Sequence, residues 1–539
     1  MIEGLMMDAP LLPSSIIEYA AQYHGRTEVV SRTASGVVVR YGYADALQRI
    51  RRMSAALMGL GMGESDRVAT LCWNTRQHFE LFYAVPCAGG ILHTVNPRLS
   101  IDHIAYIVEH GGARILVFDA ACAGIVADIL PRLSGDMTLV LVDDGGGEEV
   151  PDFGRPVLGY ESLVAATDPL PAFPEFDEKA GAVLCYTSGT TGNPKGVLYS
   201  HRSLVLIAVA SIAKDFFGGY RNGDLDCYMP IAGMFHATGW SFPHTAPICG
   251  AKLVLPGRQH DSESLCRLMA EEEVTIAGAV PTVLLGLRDW LDGHGEELPA
   301  LRSFLSSGSL VPRQLIERWE QKGVDVVQTW GMTESLCSSK GSLMPGFGRL
   351  DPARQAAARK KTARISWGTR LRIVSDDDEV LPHDGIAVGQ LQARGPWTAS
   401  GYFNEEASPT TADGWLRTGD MATIDPDGYI EIKDRSKDII KSGGEWISTT
   451  ELEAAALSHP GISHAAVIGI PHPRWQERPL LVVQPDPGAI PLDADALIAH
   501  VASQVVKWWV PDRVEVVDRM PLSATGKILK SELRKAFPA

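Results

Sequence analysis

The chain has 539 residues, of which 45% are hydrophobic, so it is long enough to bury a large core and to form a big domain plus a smaller one. Its 49 basic and 65 acidic residues give a net charge of −16, and a surface of that sign repels nucleic acids and anionic membranes. We therefore predict no nucleic-acid partner, and any phosphate-binding site must be built locally.

The N-terminal segment and the cysteines bear on location. MIEGLMMDAPLLPSS lacks the basic start and apolar core of a signal peptide, and the longest expected apolar helix, near Leu204 to Ala213, is too short to span a membrane. The eight cysteines contain no C-x-x-C pair, which favours neither a zinc site nor a disulfide framework. These features predict a cytoplasmic protein with no integral membrane association. Residues alone do not decide the oligomeric state, and a homodimer is compatible with them.

In the N-terminal part, apolar runs typical of strands alternate with helical patterns. Strands are predicted from Val68 (VATLCW), Ala113 (ARILVF) and Leu139 (LVLVD). Helices are predicted from Tyr43 (YADALQRIRRMSAALMGLG) and Asp102 (DHIAYIVEHG). This alternation predicts an α/β fold built of layered subdomains.

A glycine-rich loop follows the next predicted strand. The strand AVLCYT leads into SGTTGNPKGV and then into an apolar helix, for which Ser200 is the expected cap. The free N–H groups and hydroxyls of such a loop can surround phosphates, and Lys195 adds positive charge. It is not a Walker A loop, because Pro194 and Gly196 flank the lysine and the G-x-x-x-x-G-K-[ST] spacing is absent. The alternative interpretation is an ordinary turn rich in small residues.

The last part of the chain changes character. Residues 414–444, GWLRTGDMATIDPDGYIEIKDRSKDIIKSGG, are dense in charge and glycine, which predicts a β-hairpin followed by a linker. Beyond them the patterns predict helix, strand, strand, helix, strand and a short final helix. The first of these helices, ELEAAALSH, is predicted to begin with a capping box of Thr450 and Glu453. This tail is large enough to be a separate domain.

Six motifs follow one another in the order typical of one family: YTSGTTGNPKGV from Tyr186, FHATGW, TWGMTES, GWLRTGD, DRSKDIIKSGGEWIS and PLSATGKILK. The chain resembles the adenylate-forming superfamily, which includes acyl-CoA synthetases, peptide-synthetase adenylation domains and luciferases. The resemblance covers residues from about 186 to the end and, less specifically, the α/β region before Ala180. It implies an AMP-forming acid:CoA ligase that uses ATP, Mg²⁺ and coenzyme A. It also implies a large adenylating domain (1–434), a hinge (435–437) and a small mobile α+β lid domain (438–539).

The resemblance assigns most motif residues to nucleotide binding. Activating a carboxylate brings two anions together, so cations and oriented donors must neutralise the developing charge. Glu334 and Thr190 are implied as Mg²⁺ ligands, and Thr333 is implied to contact phosphate oxygens; elsewhere a lone glutamate is usually a solvated surface group. Asp420 is implied to accept the ribose hydroxyls and Arg435 to bond the ribose, the alternative being a hairpin aspartate paired with a hinge arginine. The full set implied for ATP or AMP is Thr187, Ser188, Gly189, Thr190, Thr191, Gly192, Lys195, Gly308, Ser309, Gln328, Thr329, Trp330, Gly331, Met332, Thr333, Asp420 and Arg435.

The C-terminal motifs imply a two-step reaction. Lys527 in SATGKILK is implied to bridge the acid's carboxylate and the α-phosphate, whereas an ordinary loop lysine only aids solubility. Lys437 matches the hinge about which the lid turns. Such a turn is needed because Lys527 must leave before CoA can approach the carbonyl of the activated acid. The catalytic residues implied are Lys527, His236, Thr333 and Glu334. The residues implied to line the CoA tunnel are Lys441, Ser442, Gly443, Gly444, Glu445 and Trp446.

FHATGW concerns the acid. It places His236 and Trp240 four residues apart, on one face if this stretch is helical. In fatty-acid-activating relatives the tryptophan resembles a gate and the histidine lies near the carboxylate, the alternative being a packed core pair. Amino-acid-activating domains carry aspartate at the His236 position, so an amino acid substrate is not expected.

With GPW ending at Trp397 and HPRWQERP from His472, the chain most resembles medium-chain fatty-acyl and 3-methylthiopropionyl-CoA ligases. The predicted acid pocket contains His236, Trp240 and Trp397. Two rival interpretations stay open. One is an adenylating enzyme with another acceptor, luciferase-like or carrier-loading; the other is a non-catalytic nucleotide-binding regulator.

Overall fold

In the computed structural model of the protein, the described residues are 2, 4–187, 193–212, 225–341, 344, 346–359, 361–443, 445–486, 492–522 and 528–538. They form helices and strands that we number α1–α15 and β1–β25 along the chain. Three sheets organise them, and the predicted α/β class is confirmed.

The first sheet has seven strands: β3 (Arg67–Leu71), β4 (Ile91–Thr94), β5 (Ile115–Asp119), β6 (Thr138–Val142), β7 (Val157–Gly159), β8 (Gly181–Tyr186) and β9 (Gly196–Ser200). Their order is β7-β6-β5-β3-β4-β8-β9, parallel except for the β8–β9 hairpin. The helices of this part of the chain are α2 (Tyr43–Gly59), α3 (Arg76–Ala84), α4 (Ile101–Gly111), α5 (Ala123–Ile129), α6 (Tyr160–Ala166) and α7 (His201–Ile212). The apolar runs predicted as strands are β3, β5 and β6, and their near-continuous hydrophobicity reflects a parallel sheet buried on both faces.

The second sheet has thirteen strands: β1 (Glu28–Arg32), β2 (Val38–Gly42), β10 (Cys227–Pro230), β11 (Lys252–Leu255), β12 (Ile276–Ala279), β13 (Ser303–Ser306), β14 (Asp325–Met332), β15 (Leu336–Lys340), β16 (Ala363–Ile365), β17 (Arg370–Val374), β18 (Gly389–Arg394), β19 (Leu416–Ile424) and β20 (Tyr429–Arg435). Their order is β17-β18-β19-β20-β16-β15-β14-β13-β12-β10-β11-β1-β2. Strands β1 and β10–β14 pair in parallel, whereas β14–β20 pair antiparallel. The remaining helices of this part are α1 (Pro13–Tyr23), α8 (Phe242–Cys249), α9 (Ser262–Glu271), α10 (Pro281–His294), α11 (Arg313–Glu320) and α12 (Pro352–Arg359). The predicted hairpin is confirmed as β19 and β20.

The third sheet contains β21 (Ile440–Ser442), β22 (Glu445–Ile447), β23 (Ile462–His472), β24 (Gln476–Pro485) and β25 (Arg513–Val516). Its order is β22-β21-β24-β23, and β25 runs parallel to β24. The accompanying helices are α13 (Thr449–Leu457), α14 (Ala494–Ala502) and α15 (Lys530–Ala536). The sequence α13-β23-β24-α14-β25-α15 matches the predicted order. Because β20 belongs to the second sheet and β21 to the third, the chain passes between sheets where the hinge is predicted.

Two helix caps test the local predictions. Ser200 accepts a hydrogen bond from the Ser203 N–H at 3.2 Å, so the predicted cap of α7 is confirmed. The capping box of Thr450 and Glu453 is wrong, because Ser448 caps α13 by accepting from the Glu451 N–H at 3.2 Å. Glu453 instead accepts from the Val467 N–H at 2.8 Å, which draws its carboxylate away from the helix end.

The helices of the described residues also bear on membrane insertion. Across the described ranges, none of them has both the length and the apolar character required to cross a bilayer.

Candidate active site

The C-terminal ends of parallel strands from two sheets meet at one place, which is where open α/β sheets bind ligands. Strand β4 leads to Asn96, strand β8 leads to Thr187, and strand β10 leads to the loop that carries His236. A shared pocket at this place is lined by Thr94, Asn96, Leu99, Ile107, Tyr186, Thr187, Phe235 and His236. The pocket is narrow and leaves room for roughly one water molecule between these side chains.

The predicted phosphate-binding loop begins and ends on the β8–β9 hairpin. The Thr187 N–H donates to the Lys195 carbonyl at 2.9 Å, and the Lys195 N–H donates to Thr187 Oγ1 at 3.1 Å. Tyr186, just before the loop, joins its hydroxyl to His110 Nδ1 at 2.6 Å. The loop's two ends are therefore held together by backbone and side-chain bonds. The predicted ligands Ser188, Gly189, Thr190, Thr191 and Gly192 lie outside the described residues.

Glu334 and Lys195 come together through Tyr402. Glu334 is only 6% exposed, and its Oε1 accepts a hydrogen bond from the Tyr402 hydroxyl at 2.7 Å. Lys195 Nζ lies 4.6 Å from the centre of the Tyr402 ring. Burial, together with the Glu334 carboxylate, raises the pKa of Tyr402, so its hydroxyl stays a donor at neutral pH. The backbone carbonyl of Thr333, which precedes Glu334 in the chain, accepts a hydrogen bond from the Tyr199 hydroxyl.

The fit of a magnesium ion depends on the donor set. Within the described ranges, no group of three or more His, Cys, Asp or Glu side chains is arranged to hold a metal. A single buried carboxylate beside a phosphate-binding loop still suits Mg²⁺, which keeps several waters and takes substrate phosphates as ligands. Glu334 fits that arrangement.

The predicted ribose residues form a hydrogen-bonded set. Asp420 Oδ2 accepts from Trp330 Nε1 at 2.9 Å, and Arg435 Nε lies 2.8 Å from Asp420 Oδ1. Asp420 lies inside β19 and follows Gly419, which has a φ of 73°. Asp420 faces Arg435 across the β19–β20 ladder. This pairing is the one that the alternative interpretation expects, and the ribose role stays a prediction.

The ATP-binding residues predicted on β14 and in the loop after β13 also lie side by side. Strands β13 and β14 are parallel, with Ser306 opposite Gln328. Gln328 Oε1 accepts from the Val311 N–H at 3.0 Å, which holds the loop of Gly308 and Ser309 against β14. Gly308 has a φ of 96°, a conformation that favours glycine.

The FHATGW segment differs from its prediction. His236 is extended, with a φ of −98°, and Thr238, Gly239 and Trp240 have φ values of 50°, 61° and 51°. A right-handed helix that places His236 and Trp240 on one face is therefore wrong, because these residues form a left-handed turn. Such a turn costs about 1–2 kcal/mol per non-glycine residue, so the packing around it must hold it. His236 lines the pocket, whereas half-buried Trp240 lies beside Gly278 of β12.

Trp397 and the described residues of the predicted CoA tunnel lie elsewhere. Trp397 is 2% exposed and packs against Gly368, and it does not line the pocket beside His236. Ser442 is buried at the end of β21, where Arg478 donates to its hydroxyl at 3.4 Å. The Gly443 N–H donates to the Trp475 carbonyl at 2.9 Å.

The remaining predicted CoA and lid residues divide into two groups. The Lys441 N–H donates to Glu477 Oε2 at 3.0 Å, and Glu445 and Trp446 belong to β22. At the predicted hinge, the Lys437 carbonyl accepts a hydrogen bond from Arg534 of α15 at 3.4 Å. Gly444 and Lys527 lie outside the described residues.

Sequence patterns did not predict two residues that contribute to the site. Tyr402 lies between the GPW and GWLRTGD motifs, and only its GYFN context marks it. Asn74 donates to the Pro230 carbonyl at 2.7 Å and accepts from the Met234 N–H at 2.7 Å, which fixes the loop ahead of His236. A lone asparagine after a strand carries no pattern that predicts this role.

The class of protein to which this fold belongs is that of enzymes that use a nucleotide to activate an acid. The family model of AMP-binding enzymes matches residues 17–403, and the model of the AMP-binding enzyme C-terminal domain matches residues 451–527. The chain belongs to the AMP-binding enzyme family, which confirms the predicted resemblance to adenylate-forming acyl-CoA synthetases.

Individual relatives agree with this assignment. A 3-methylmercaptopropionyl-CoA ligase of Ruegeria lacuscaerulensis is 43% identical over 99% of this chain and 98% of its own. A medium-chain-fatty-acid–CoA ligase of Ectopseudomonas oleovorans is 40% identical over 99% of this chain and 97% of its own. The crystal structure of an anthranilate CoA ligase in complex with anthranoyl-AMP shares the fold, with a TM-score of 0.85, 24% identity and 98% coverage of both chains.

Proposed function

We propose that the protein is a magnesium- and ATP-dependent acid:CoA ligase. Its acid is a short- or medium-chain fatty acid or a sulfur-containing analogue such as 3-methylthiopropionate. The observation that carries this proposal is the meeting of Lys195, Glu334 and Tyr402 beside the phosphate-binding loop. The names of the relatives at 40–43% identity support the choice of acid and of CoA as acceptor.

In the first half-reaction, a carboxylate oxygen of the acid attacks the α-phosphorus of ATP, and pyrophosphate leaves with the electrons of the broken P–O bond. Lys195 and the loop's N–H groups oppose the charge that develops, and Lys527 bridges the carboxylate and the α-phosphate. Glu334 would hold Mg²⁺, which when bound neutralises phosphate charge. Asp420 and Arg435 bind the ribose and so fix the nucleotide's orientation.

In the second half-reaction, the CoA thiol loses its proton to solvent, its sulfur attacks the acyl carbonyl carbon, and AMP leaves with the electrons of the broken acyl C–O bond. The small domain turns about Lys437, which withdraws Lys527 and brings the β21–β22 segment towards the acyl group. The glycines of SGGEWIS allow the pantetheine arm to approach the backbone closely. The domain limits of 1–434, 435–437 and 438–539 are part of this proposal.

The lining of the pocket supports an aliphatic acid. Leu99, Ile107 and Phe235 supply an apolar wall, while His236 occupies the position that carries aspartate in amino-acid-activating domains. Asn96 adds a polar contact, because its Nδ2 is buried and has no partner among the described residues. An apolar wall with a few placed polar groups is typical of small-molecule sites.

The test is a pyrophosphate-release screen over short, medium, aryl and sulfur-containing acids, with and without CoA, together with detection of acyl-CoA. We expect CoA-dependent consumption of the acyl-adenylate and the highest kcat/KM for an aliphatic or thioether acid. Adenylate that CoA does not consume would point to the luciferase-like or carrier-loading alternative. No pyrophosphate with any acid would point to the regulator.

We further propose a cytoplasmic enzyme. All eight cysteines are free thiols, and free thiols suit a reducing compartment. Microscopy of a fluorescently tagged full chain tests the location. The homodimer remains a prediction, which light scattering of the purified protein tests.

A further inference from the structure

A short segment around Tyr402 is anchored to two ATP motifs at once. The Ala399 N–H donates to the carbonyl of Glu334 at 2.7 Å. The Phe403 N–H donates to the carbonyl of Gly196, next to Lys195, at 2.8 Å. Backbone bonds on both sides of Tyr402 therefore tie it to TWGMTES and to the strand that follows the phosphate-binding loop.

The Tyr402 side chain contacts one charged group of each motif. Its hydroxyl donates to Glu334 Oε1 at 2.7 Å, a hydrogen bond strengthened by the carboxylate's charge. Its ring lies 4.6 Å from Lys195 Nζ, within the range of a cation–π contact. The two contacts use different parts of the same side chain, so substitution can separate them.

We propose that Tyr402 is a positioning residue for acid adenylation, whose hydroxyl orients Glu334 and whose ring orients Lys195. A lysine has a flexible four-carbon stem, and a carboxylate can rotate, so neither group is oriented by its own backbone alone. Fixing both before the substrates arrive removes a reorganisation cost from the reaction. This inference rests on the proposed function, because it assigns Glu334 to magnesium and Lys195 to phosphate.

Two substitutions distinguish the contacts. Tyr402→Phe keeps the ring and removes the hydroxyl, whereas Tyr402→Met removes both and keeps an unbranched apolar side chain. Tyr23→Phe is the matched control, because it removes a hydroxyl from a tyrosine that is 64% exposed at the end of α1. Melting curves establish a temperature at which all variants are folded, and every binding and rate measurement is made there.

The readouts are the Mg²⁺ concentration for half-maximal pyrophosphate release and, by calorimetry, the Kd for ATP with and without Mg²⁺. We expect Tyr402→Phe to raise the Mg²⁺ requirement roughly tenfold or more, since a hydrogen bond to a charged group is lost, while the Kd for metal-free ATP stays near that of the parent. We expect Tyr402→Met also to weaken metal-free ATP binding by about two- to thirtyfold, since the cation–π contact is lost. Tyr23→Phe should match the parent in both.

Each arm of the proposal has its own contradicting result. An unchanged Mg²⁺ requirement in folded Tyr402→Phe overturns the role towards Glu334. Equal metal-free ATP affinity of the Phe and Met variants overturns the role towards Lys195. If the parent released no pyrophosphate with any acid, the proposed function would fail, while the effect of Mg²⁺ on ATP affinity, measured by calorimetry, would still test Tyr402.

Discussion

Glu334 is a charged side chain that is buried in a protein with abundant exposed acidic surface. Burying a carboxylate is costly unless it is hydrogen-bonded or paired, and such groups concentrate at functional sites. The hydrogen bond from the Tyr402 hydroxyl to Glu334 Oε1, at 2.7 Å, offsets part of this desolvation cost. At the residue scale, the burial of Glu334 therefore argues against an ordinary surface glutamate, and its role as a magnesium ligand stays a proposal.

Lys527 lies outside the described residues, and its role is tested by kinetics. We expect Lys527→Ala to lower the rate of adenylation by about 10²–10³, because one positioned donor to the transition state is lost. Thioester formation from supplied acyl-adenylate should be unaffected, since the proposed role of the lysine is confined to the adenylation step. Single-turnover assays of each half-reaction provide the measurement, and an equal fall in both contradicts the assigned role.

Asp119 at the end of β5 predicts a pH-dependent stability. It is 5% exposed, accepts from the Trp73 N–H at 2.6 Å, and burial raises its pKa to about 8. The raised pKa means that the folded protein favours the neutral carboxyl of Asp119. The stability that this neutral carboxyl contributes is complete below about pH 4 and is lost as pH rises through about 8.

Asp119→Asn removes that titration. We expect its Tm to exceed that of the parent by a margin that grows from pH 5 to pH 8 and is smallest near pH 4. Melting curves across this range measure the margin, with the exposed Asp8→Asn as control. A margin independent of pH would show that Asp119 does not titrate as described.

At the scale of single elements, the β14–β15 hairpin supports the nucleotide residues. Strand β14 carries Trp330 and leads to Thr333 and Glu334, and a register shift falls between Trp330 and Gly331. A Cβ on Gly331 would lie 1.8 Å from the Leu336 carbonyl oxygen, so any side chain forces the two backbones apart. Glycine is therefore required at position 331 by the close approach of the β14 and β15 backbones.

Gly331→Ala should therefore lower the free energy of unfolding by about 1–3 kcal/mol or more and weaken ATP binding. Gly124→Ala in α5 is the matched control, because a Cβ there meets nothing within 4 Å and alanine favours a helix by up to about 1 kcal/mol. Urea unfolding and calorimetric ATP binding give the two readouts. A Gly331→Ala protein as stable as the parent contradicts the close approach.

At the scale of the whole molecule, the second and third sheets are joined through residues 436–439. Arg534 of α15 lies 2.7 Å from Asp438, so the last helix is tied to this connection. The large and small parts also meet where Asp434 of β20 accepts from the Thr449 N–H at 2.6 Å. A rotation about Lys437 has to rearrange such contacts near the hinge.

Lys437→Pro tests that rotation. Proline fixes φ, so we expect adenylation to remain largely intact while the CoA step slows. Stopped-flow measurement of each half-reaction separates the two, and Lys437→Ala, which keeps a freely rotating backbone, is the control. A CoA step as fast as in the parent removes Lys437 from the hinge.

Local patterns in the sequence were sufficient for much of the fold. Strands β3, β5 and β6, the β19–β20 hairpin, the order of elements after residue 449 and the Ser200 cap all depend on neighbouring residues, so periodicity and turn chemistry predict them. The six motifs were sufficient to predict the family, because the residues that give a loop such as SGTTGNPKGV its chemistry are consecutive in the sequence.

Other features were decided only by tertiary structure. Tyr402 meets Glu334 across 68 positions of sequence, a contact that no local pattern encodes. The left-handed turn of FHATGW opposes the intrinsic preference of Thr238 and Trp240, so only the surrounding packing can impose it. Glu453 was drawn from the predicted capping box to Lys530 of α15, 2.7 Å away. Long-range pairing of these two largely buried charges outweighs a local cap. An unpaired charge in such a place costs more than having Ser448 cap the helix in place of Thr450.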